Sequence, residues 1–258
     1  MTLAPDHARR AYDALGDAYR VLISGADHER WCAVLERLAL DAGLRGRRLL
    51  DVACGSGESF QPFLARGYSV TAFDLSPRMA ALAADPRAEV LVHDMRWLPK
   101  LGDFDIAICL NDAVNYLTEP GELEAAMRGI ARNLAIGGVL IFDVNSIRTM
   151  RETFGGLFAW PEPDRVVVWR GAPASRDAGE GDRVTAEVEV LTRDDGGWQR
   201  AVSVHAQRHH PERVVRRALA TAGLRLVRLA GMPPGVEVRA DGFDELQDLK
   251  AVYVAKRV

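Results

Sequence analysis

Between positions 48 and 144 the apolar residues of this chain fall alternately into short continuous runs and spaced stripes. Runs at 48–53, 69–73, 88–92, 104–109 and 138–144 predict strands, and stretches at 58–65, 77–83 and 119–134 between them predict helices. In the longest helix Leu123, Met127, Ile130, Ala131 and Leu134 make one apolar stripe. Strands alternating with helices at this spacing imply an α/β fold, with a largely parallel sheet covered on both faces. Upstream, Tyr12, Leu15, Tyr19 and Leu22 recur every three or four positions, and Trp31, Leu35 and Leu38 resume the pattern after Ser24-Gly25. These are helices placed to cap whatever the sheet binds.

From 160 to 210 the period changes to two. Val166 to Trp169 reads as a strand, Val184, Ala186, Val188 and Val190 alternate with polar neighbours, and Val202, Val204 and Ala206 do so again beyond the turn signal Asp194-Asp195-Gly196-Gly197. This is a small antiparallel sheet inserted after the fifth core strand, with an exposed loop from Gly171 to Gly181. A helix opened by Pro211-Glu212 and strands at 224–229 and 249–256 complete the core. The implied divisions are helices over 1–44, a core over 45–150, the insertion over 151–210 and the rest of the core over 211–258.

Bulk properties narrow the function only a little. The 258 residues are 48% hydrophobic and 27% charged, with a formal net charge of -3, so nothing draws the whole chain towards nucleic acid or anionic membrane. Cys32, Cys54 and Cys109 are too few and too scattered for a disulfide framework or a thiolate metal site. With neither a secretory apolar segment nor an 18-residue apolar span, a cytoplasmic location is expected.

The chemistry concentrates at Leu49-Leu50-Asp51-Val52-Ala53-Cys54-Gly55-Ser56-Gly57-Glu58, a strand that ends in a glycine turn and opens a helix. So tight a backbone can approach a nucleoside cofactor closely. A dinucleotide site needs a third glycine three residues on, but Phe60 stands there, which turns the reading from a nicotinamide or flavin. S-adenosylmethionine, a cofactor without phosphate, fits better. Asp74 ends the second strand, where a carboxylate can accept from both ribose hydroxyls, unless it merely opens the helix at Ser76-Pro77. Asp94 follows the third strand and can accept from the adenine amino group, with Met95 and Leu75 on the base faces. Asp51 either orients the turn or meets the cofactor ammonium, to which the Leu110 carbonyl also offers an acceptor.

With those residues placed, the chain resembles the class I S-adenosylmethionine-dependent methyltransferases. Leu50 to Gly57 is similar to the family's first motif and Val70 to Met79 to its second, while His93-Asp94-Met95 and Phe104 to Cys109 resemble the third and fourth. The resemblance spans about residues 45–145. It implies a Rossmann-like seven-stranded sheet with an antiparallel last strand, and a cofactor site that includes Ala53, Gly55, Gly57 and Met79. Within the family the chain looks most like enzymes that methylate amino sugars or other specialised metabolites. In them an N-terminal helical lid carries a tyrosine to the cofactor carboxylate, here Tyr19 or Tyr12, and the inserted sheet binds substrate or forms a dimer, so a homodimer is a further expectation. Trp31 either lines the same wall or packs in the core.

On the acceptor side, Asn111 and Tyr116 follow the fourth strand and can pin a substrate group, although Asn115-Tyr116 also suits a plain turn cap. His209 and His210 close the inserted hairpin, as general bases or as surface and capping residues. Phe154, Phe158 and Trp160 offer aromatic surface near Arg148, Arg151 and Glu152, for a substrate ring or for the insertion's own core. The resulting expectation is in-line methyl transfer to nitrogen or oxygen of a small metabolite, with no metal and no membrane or nucleic-acid partner. The competing readings are a nucleic-acid methyltransferase, which wants a basic stripe or an Asn/Asp-Pro-Pro-aromatic loop where Asn111-Asp112-Ala113-Val114 stands, and a non-catalytic cofactor-binding scaffold.

Overall fold

The computed structural model describes residues 6–25, 27–235, 237–239 and 242–258. It opens with helices α1 (His7–Leu15), α2 (Tyr19–Ile23) and α3 (His28–Asp41); Asp27 caps α3 by accepting from the Arg30 amide. Strand β1 (Arg48–Val52), helix α4 (Gln61–Ala65), β2 (Ser69–Asp74), α5 (Pro77–Leu82), β3 (Ala88–Val92), β4 (Phe104–Cys109), α6 (Glu122–Asn133) and β5 (Leu134–Asn145) follow. Helix α4 starts three residues later than its predicted 58, because the backbone still turns there to carry the buried Phe60 ring against Gly57.

These strands, with β10 (Leu224–Met232) and β11 (Lys250–Arg257), form one seven-stranded sheet in the order β10-β11-β5-β4-β1-β2-β3. Strands β1 to β5 pair in parallel, and β11 runs antiparallel to both of its neighbours. Side chains leave alternate faces of each strand, so both faces must be covered, and the continuous apolar runs follow from that requirement. On one face Leu50, Val52, Leu140, Phe142 and Tyr253 pack with Met127 and Ile130 of α6 and Val215 and Leu219 of α8 (Glu212–Thr221). On the other, Leu49, Val139, Ile141, Val252 and Val254 pack with Cys32 and Leu35 of α3 and Phe63 of α4.

The insertion adds helix α7 (Ile147–Glu152), capped by Ser146, and a second antiparallel sheet: β6 (Leu157–Glu162), β7 (Arg165–Gly171), β8 (Arg183–Asp194) and β9 (Gly197–Arg208), in that order. Alternation exposed three of these four strands. Strand β6 escaped because it is an edge strand in which Leu157, Ala159 and Pro161 are apolar outward as well, and Pro161 is tolerated only at such an edge. The inner face of this sheet, with Val167, Val188 and Val190, closes over Leu15, Ala18 and Val21 of the N-terminal segment. Helices α1 and α2 are thereby covered by the inserted sheet, while α3 packs on the core sheet.

The Phe142 and Tyr253 rings stack at 5.0 Å between centroids, at an angle of 10°, where β5 pairs with β11. Phe142 is fully buried. Phe142→Ala is expected to lower the unfolding free energy by about 3–5 kcal/mol in urea titrations, and a loss below about 1 kcal/mol would contradict this packing.

Candidate active site

The order of the core sheet reverses beside β1, where chain connections leave for β2 on one side and β4 on the other. Open α/β sheets bind ligands at the carboxyl ends of strands at such a point. A cleft opens there. Its floor is the glycine turn. Ala53 and Gly55 both have positive φ, 59° and 55°, and a Cβ on Gly55 would come within 3.1 Å of the Tyr19 ring. Gly57 also has positive φ, but it faces Phe60 and Ala83 at 3.1–3.2 Å, so it serves packing behind the turn and does not line the cleft.

Asp74 ties the site together. Its Oδ2 accepts the Gly55 amide at 2.9 Å and its Oδ1 the Ser76 amide at 2.8 Å, while Ser76, not Asp74, caps α5. Each oxygen keeps a second lone pair, so the carboxylate still suits a vicinal diol. Burial raises its pKa to about 6, partly offset by those amides. Behind the turn, Asp51 is 1% exposed; its Oδ2 accepts from Ser59 at 2.5 Å and its Oδ1 has no partner. Burial raises Asp51 from an ordinary 3.8 to about 7. It does not line the cleft.

The structure brings Tyr19, Ala53, Gly55, Asp74, Leu75, Asp94, Met95 and Leu110 together around the cleft, with Tyr12, Asn111 and Tyr116. Several expectations need correction. Asp94 reaches the cleft, but Arg96 engages both of its oxygens at 2.6–3.0 Å and also donates its amide, which fills the positions expected for an adenine amino group. Trp31 packs in the core with Cys32 and Leu35, and Met79, on the buried side of α5, does not line the cleft. His209 and His210 line neither this cleft nor the cavity beside it. His209 accepts the Gly181 amide and contacts Glu245 at 3.1 Å; His210 meets the Val114 carbonyl at 3.1 Å. Both rings fasten chain segments to one another.

The histidine of the inserted sheet that reaches the second cavity is His205, on the inner face of β9 with Ser203 and Gln207. Period-two alternation could have singled it out. His7, Arg9, Phe73 and His93 also line the cleft. Of these, Phe73 and His93 flank expected ligands at strand ends and were legible on that ground, whereas His7 and Arg9 arrive only by the docking of α1.

A second cavity lies between the N-terminal helices and the inserted sheet. Trp160, Trp169 and Phe154 give it aromatic walls; Asn145, Gln207, His205 and Asp112 give it polar ones. Tyr12, Tyr19, Asn111 and Tyr116 line both spaces. The Tyr12 ring lies 5.6 Å from Tyr19, 5.3 Å from Tyr116 and 5.5 Å from His205. Tyr116 Oη meets His205 Nδ1 at 2.8 Å. Burial holds the tyrosines' pKa above the usual phenol range and pushes His205 down to about 3, so this pair is neutral, the phenol donating to the imidazole.

Comparison with known proteins identifies this architecture. A methyltransferase-domain family profile matches residues 49–138. The chain is 30% identical over 194 residues to a dTDP-3-amino-3,4,6-trideoxy-alpha-D-glucopyranose N,N-dimethyltransferase of Streptomyces venezuelae, covering 72% of this chain and 79% of that one. The chain belongs to the class I S-adenosylmethionine-dependent methyltransferases. The methyltransferase is also 27% identical to a putative methyltransferase of Bacillus subtilis, over 84% of this chain and 88% of that one. Among solved structures it is similar to an amino pentose methyltransferase of Micromonospora echinaspora with S-adenosylmethionine bound, at 26% identity and a TM-score of 0.70, covering 93% and 95% of the two chains. A methyltransferase of Clostridium acetobutylicum shares the fold at a TM-score of 0.77 and 21% identity, over 95% and 98%.

The buried groups of the methyltransferase oppose one another in pH dependence. Asp51 and Asp74 titrate higher in the fold than in the unfolded chain, so their contribution falls as pH rises from about 4 to 7. His205 and His210, held near 3 and 4 by burial against 6.5 unfolded, lose stability as pH falls below about 6.5. Asp51→Asn removes the largest carboxylate contribution and keeps an acceptor for Ser59. Its melting temperature is therefore expected to gain on the wild type steadily between pH 4 and 8; a pH-independent difference contradicts the assignment.

Proposed function

We propose that the methyltransferase moves a methyl group from S-adenosylmethionine, held against the glycine turn, to an amine nitrogen on a small, sugar-like ring held in the second cavity. The observation that carries this reading is the shared wall: Tyr12, Tyr19, Asn111 and Tyr116 belong to both spaces. The residues present fit the cofactor. Gly55 leaves room where any Cβ would strike Tyr19, Asp74 has acceptor capacity for the ribose diol, and Leu75 and Met95 offer apolar cover for the base. When bound, the cofactor supplies an electrophilic methyl carbon on a cationic sulfur, whose departure leaves a neutral thioether.

The chain's own work is then placement and exclusion of water. Three tyrosine rings at the common wall present π faces, which favour cationic charge near them. Tyr116, fixed by its hydrogen bond to His205, stands at the wall common to both spaces, where it helps to position the acceptor beside the cofactor. Neither member of that pair is a strong base, and Asp112 is engaged by Lys250 at 2.7 Å and Gln207 at 2.5 Å. An amine that reaches the site unprotonated needs no base, whereas an alcohol does. The N,N-dimethyltransferases of S. venezuelae and Streptomyces fradiae, both named for dTDP-amino sugars, support an amine acceptor. A concave, aromatic-walled cavity also favours a metabolite over nucleic acid.

Calorimetry with S-adenosylmethionine is expected to show saturable binding that Asp74→Ala weakens about tenfold or more. Trp160→Ala is expected to raise KM for the amine severalfold and leave cofactor affinity unchanged. Absence of cofactor binding by the folded wild type, or label from the cofactor methyl appearing only on oxygen, contradicts the reading.

A further inference from the structure

Beside the cofactor cleft, the turn Met95–Trp97 that follows β3 meets α6, the end of α8 and the end of β11 around a surface groove. Arg96, Trp97, Arg128, Arg132 and Arg257 line it, and among the described residues no carboxylate does. Arg128 and Arg132 stand four positions apart on one face of α6, a like-charge spacing that costs the helix stability. Trp97 is 79% exposed, so its indole adds little buried area to the fold. Beside cations, an open indole face is a platform on which a planar ring can stack.

The four guanidinium groups are held differently. Arg96 binds Asp94 at 2.6 Å and Glu122 at 2.8 Å, which neutralises it. Arg132 donates to the Leu98 carbonyl at 2.7 Å through Nη2 alone, and Arg257 to the Leu134 carbonyl through Nη1 alone. A carbonyl anchors a guanidinium without cancelling its charge, and each of these two keeps most of its N–H donors. Arg128 has no hydrogen-bond or ion-pair partner among the described residues. The nearby carboxylates are committed to other cations: Glu122 to Arg96, Glu124 to Arg217 and Asp103 to Lys100. Three uncompensated positive charges therefore share one groove with an exposed indole, in a chain whose formal net charge is -3.

We infer that this groove binds a nucleoside diphosphate, with the phosphates on Arg128, Arg132 and Arg257 and the base stacked on Trp97. Guanidinium groups match phosphate oxygens through paired N–H bonds, and an indole face accepts any base. A simple inorganic anion leaves Trp97 unused, and an uncharged ring leaves the arginines unused. A ligand that carries both uses the whole groove. Arg96 lines the groove and the cofactor cleft alike, so the two sites are neighbours, but Trp97 and the three uncompensated charges belong to the groove alone.

The test is calorimetric titration of the full chain, with S-adenosylmethionine saturating the cleft, by guanosine diphosphate, by pyrophosphate and by guanosine. Guanosine diphosphate is expected to bind with a Kd at least about tenfold below that of either part. Arg128→Glu is expected to weaken guanosine diphosphate and pyrophosphate alike by about tenfold or more. Trp97→Ala is expected to bring guanosine diphosphate down to the affinity of pyrophosphate and to leave pyrophosphate itself unchanged. Both side chains are exposed, so both variants are expected to fold and to bind S-adenosylmethionine as the wild type does. Absence of guanosine diphosphate binding, or binding that neither substitution alters, overturns the inference. Tighter binding of a short single-stranded oligonucleotide than of guanosine diphosphate also overturns it, and assigns the groove to nucleic acid.

Discussion

The Asp143 carboxylate at the end of β5 holds the loop on which both cavities depend. Its two oxygens accept the amides of Asn111 and Asp112 at 2.8 and 2.6 Å, and Lys250 donates to it at 2.9 Å. Those amides belong to consecutive left-handed residues, with φ of 57° and 55°. An L-residue pays about 1–2 kcal/mol for that conformation, although Asn and Asp tolerate it best. A buried carboxylate accepting two adjacent amides, itself neutralised by an ammonium, supplies charge-assisted bonds of the strength needed to offset the cost. Without it the chain after β4 has no reason to turn back over the sheet crest and present Asn111 and Tyr116 to both spaces.

The other end of the same loop is fastened by the inserted sheet. Asn115 donates to the Arg208 carbonyl, Arg183 and Arg208 converge on the Thr118 carbonyl, and His210 holds the Val114 carbonyl. Insertion and core therefore do not simply abut; they grip one loop from opposite sides. Helices α1 and α2 close the arrangement by packing under the inserted sheet, which brings Tyr12 and Tyr19 to the wall that Tyr116 shares. The site thus draws together the lid, the glycine turn, the ends of β2 and β3, the loop after β4 and the inserted sheet with the far end of β9.

How much of this was legible follows from the range of the forces involved. Runs such as 104–109 and 138–144 declared buried strands because both sheet faces must be apolar, and Gly55 and Asp74 stood out because a tight turn and a strand-end carboxylate are local features. Asp94 lies in the cleft as its strand-end position suggests, and its partner was local too, since Arg96 follows at the spacing that lets a guanidinium fold back onto an aspartate. His209 and His210 could not be resolved from position alone. Their rings are claimed by Glu245, Gly181 and Val114, all distant in sequence, whereas His205 faces inward by the simple alternation of β9. Trp31 illustrates the same limit. A helical apolar stripe marks the buried side, but only the packing of α3 on the sheet decides that this side is core and not ligand wall.

The claim that Asp143 fixes the shared loop is tested most directly by native-state amide hydrogen exchange of the wild type and Asp143→Asn. In the wild type the Asn111 and Asp112 amides are expected to be protected like those of central β5. In the variant, where one oxygen and the charge are lost, exchange over residues 111–118 is expected to accelerate by about tenfold or more while β1 and β5 keep their protection. Unprotected Asn111 and Asp112 in the wild type, or unchanged exchange across this loop in the variant, would contradict the account.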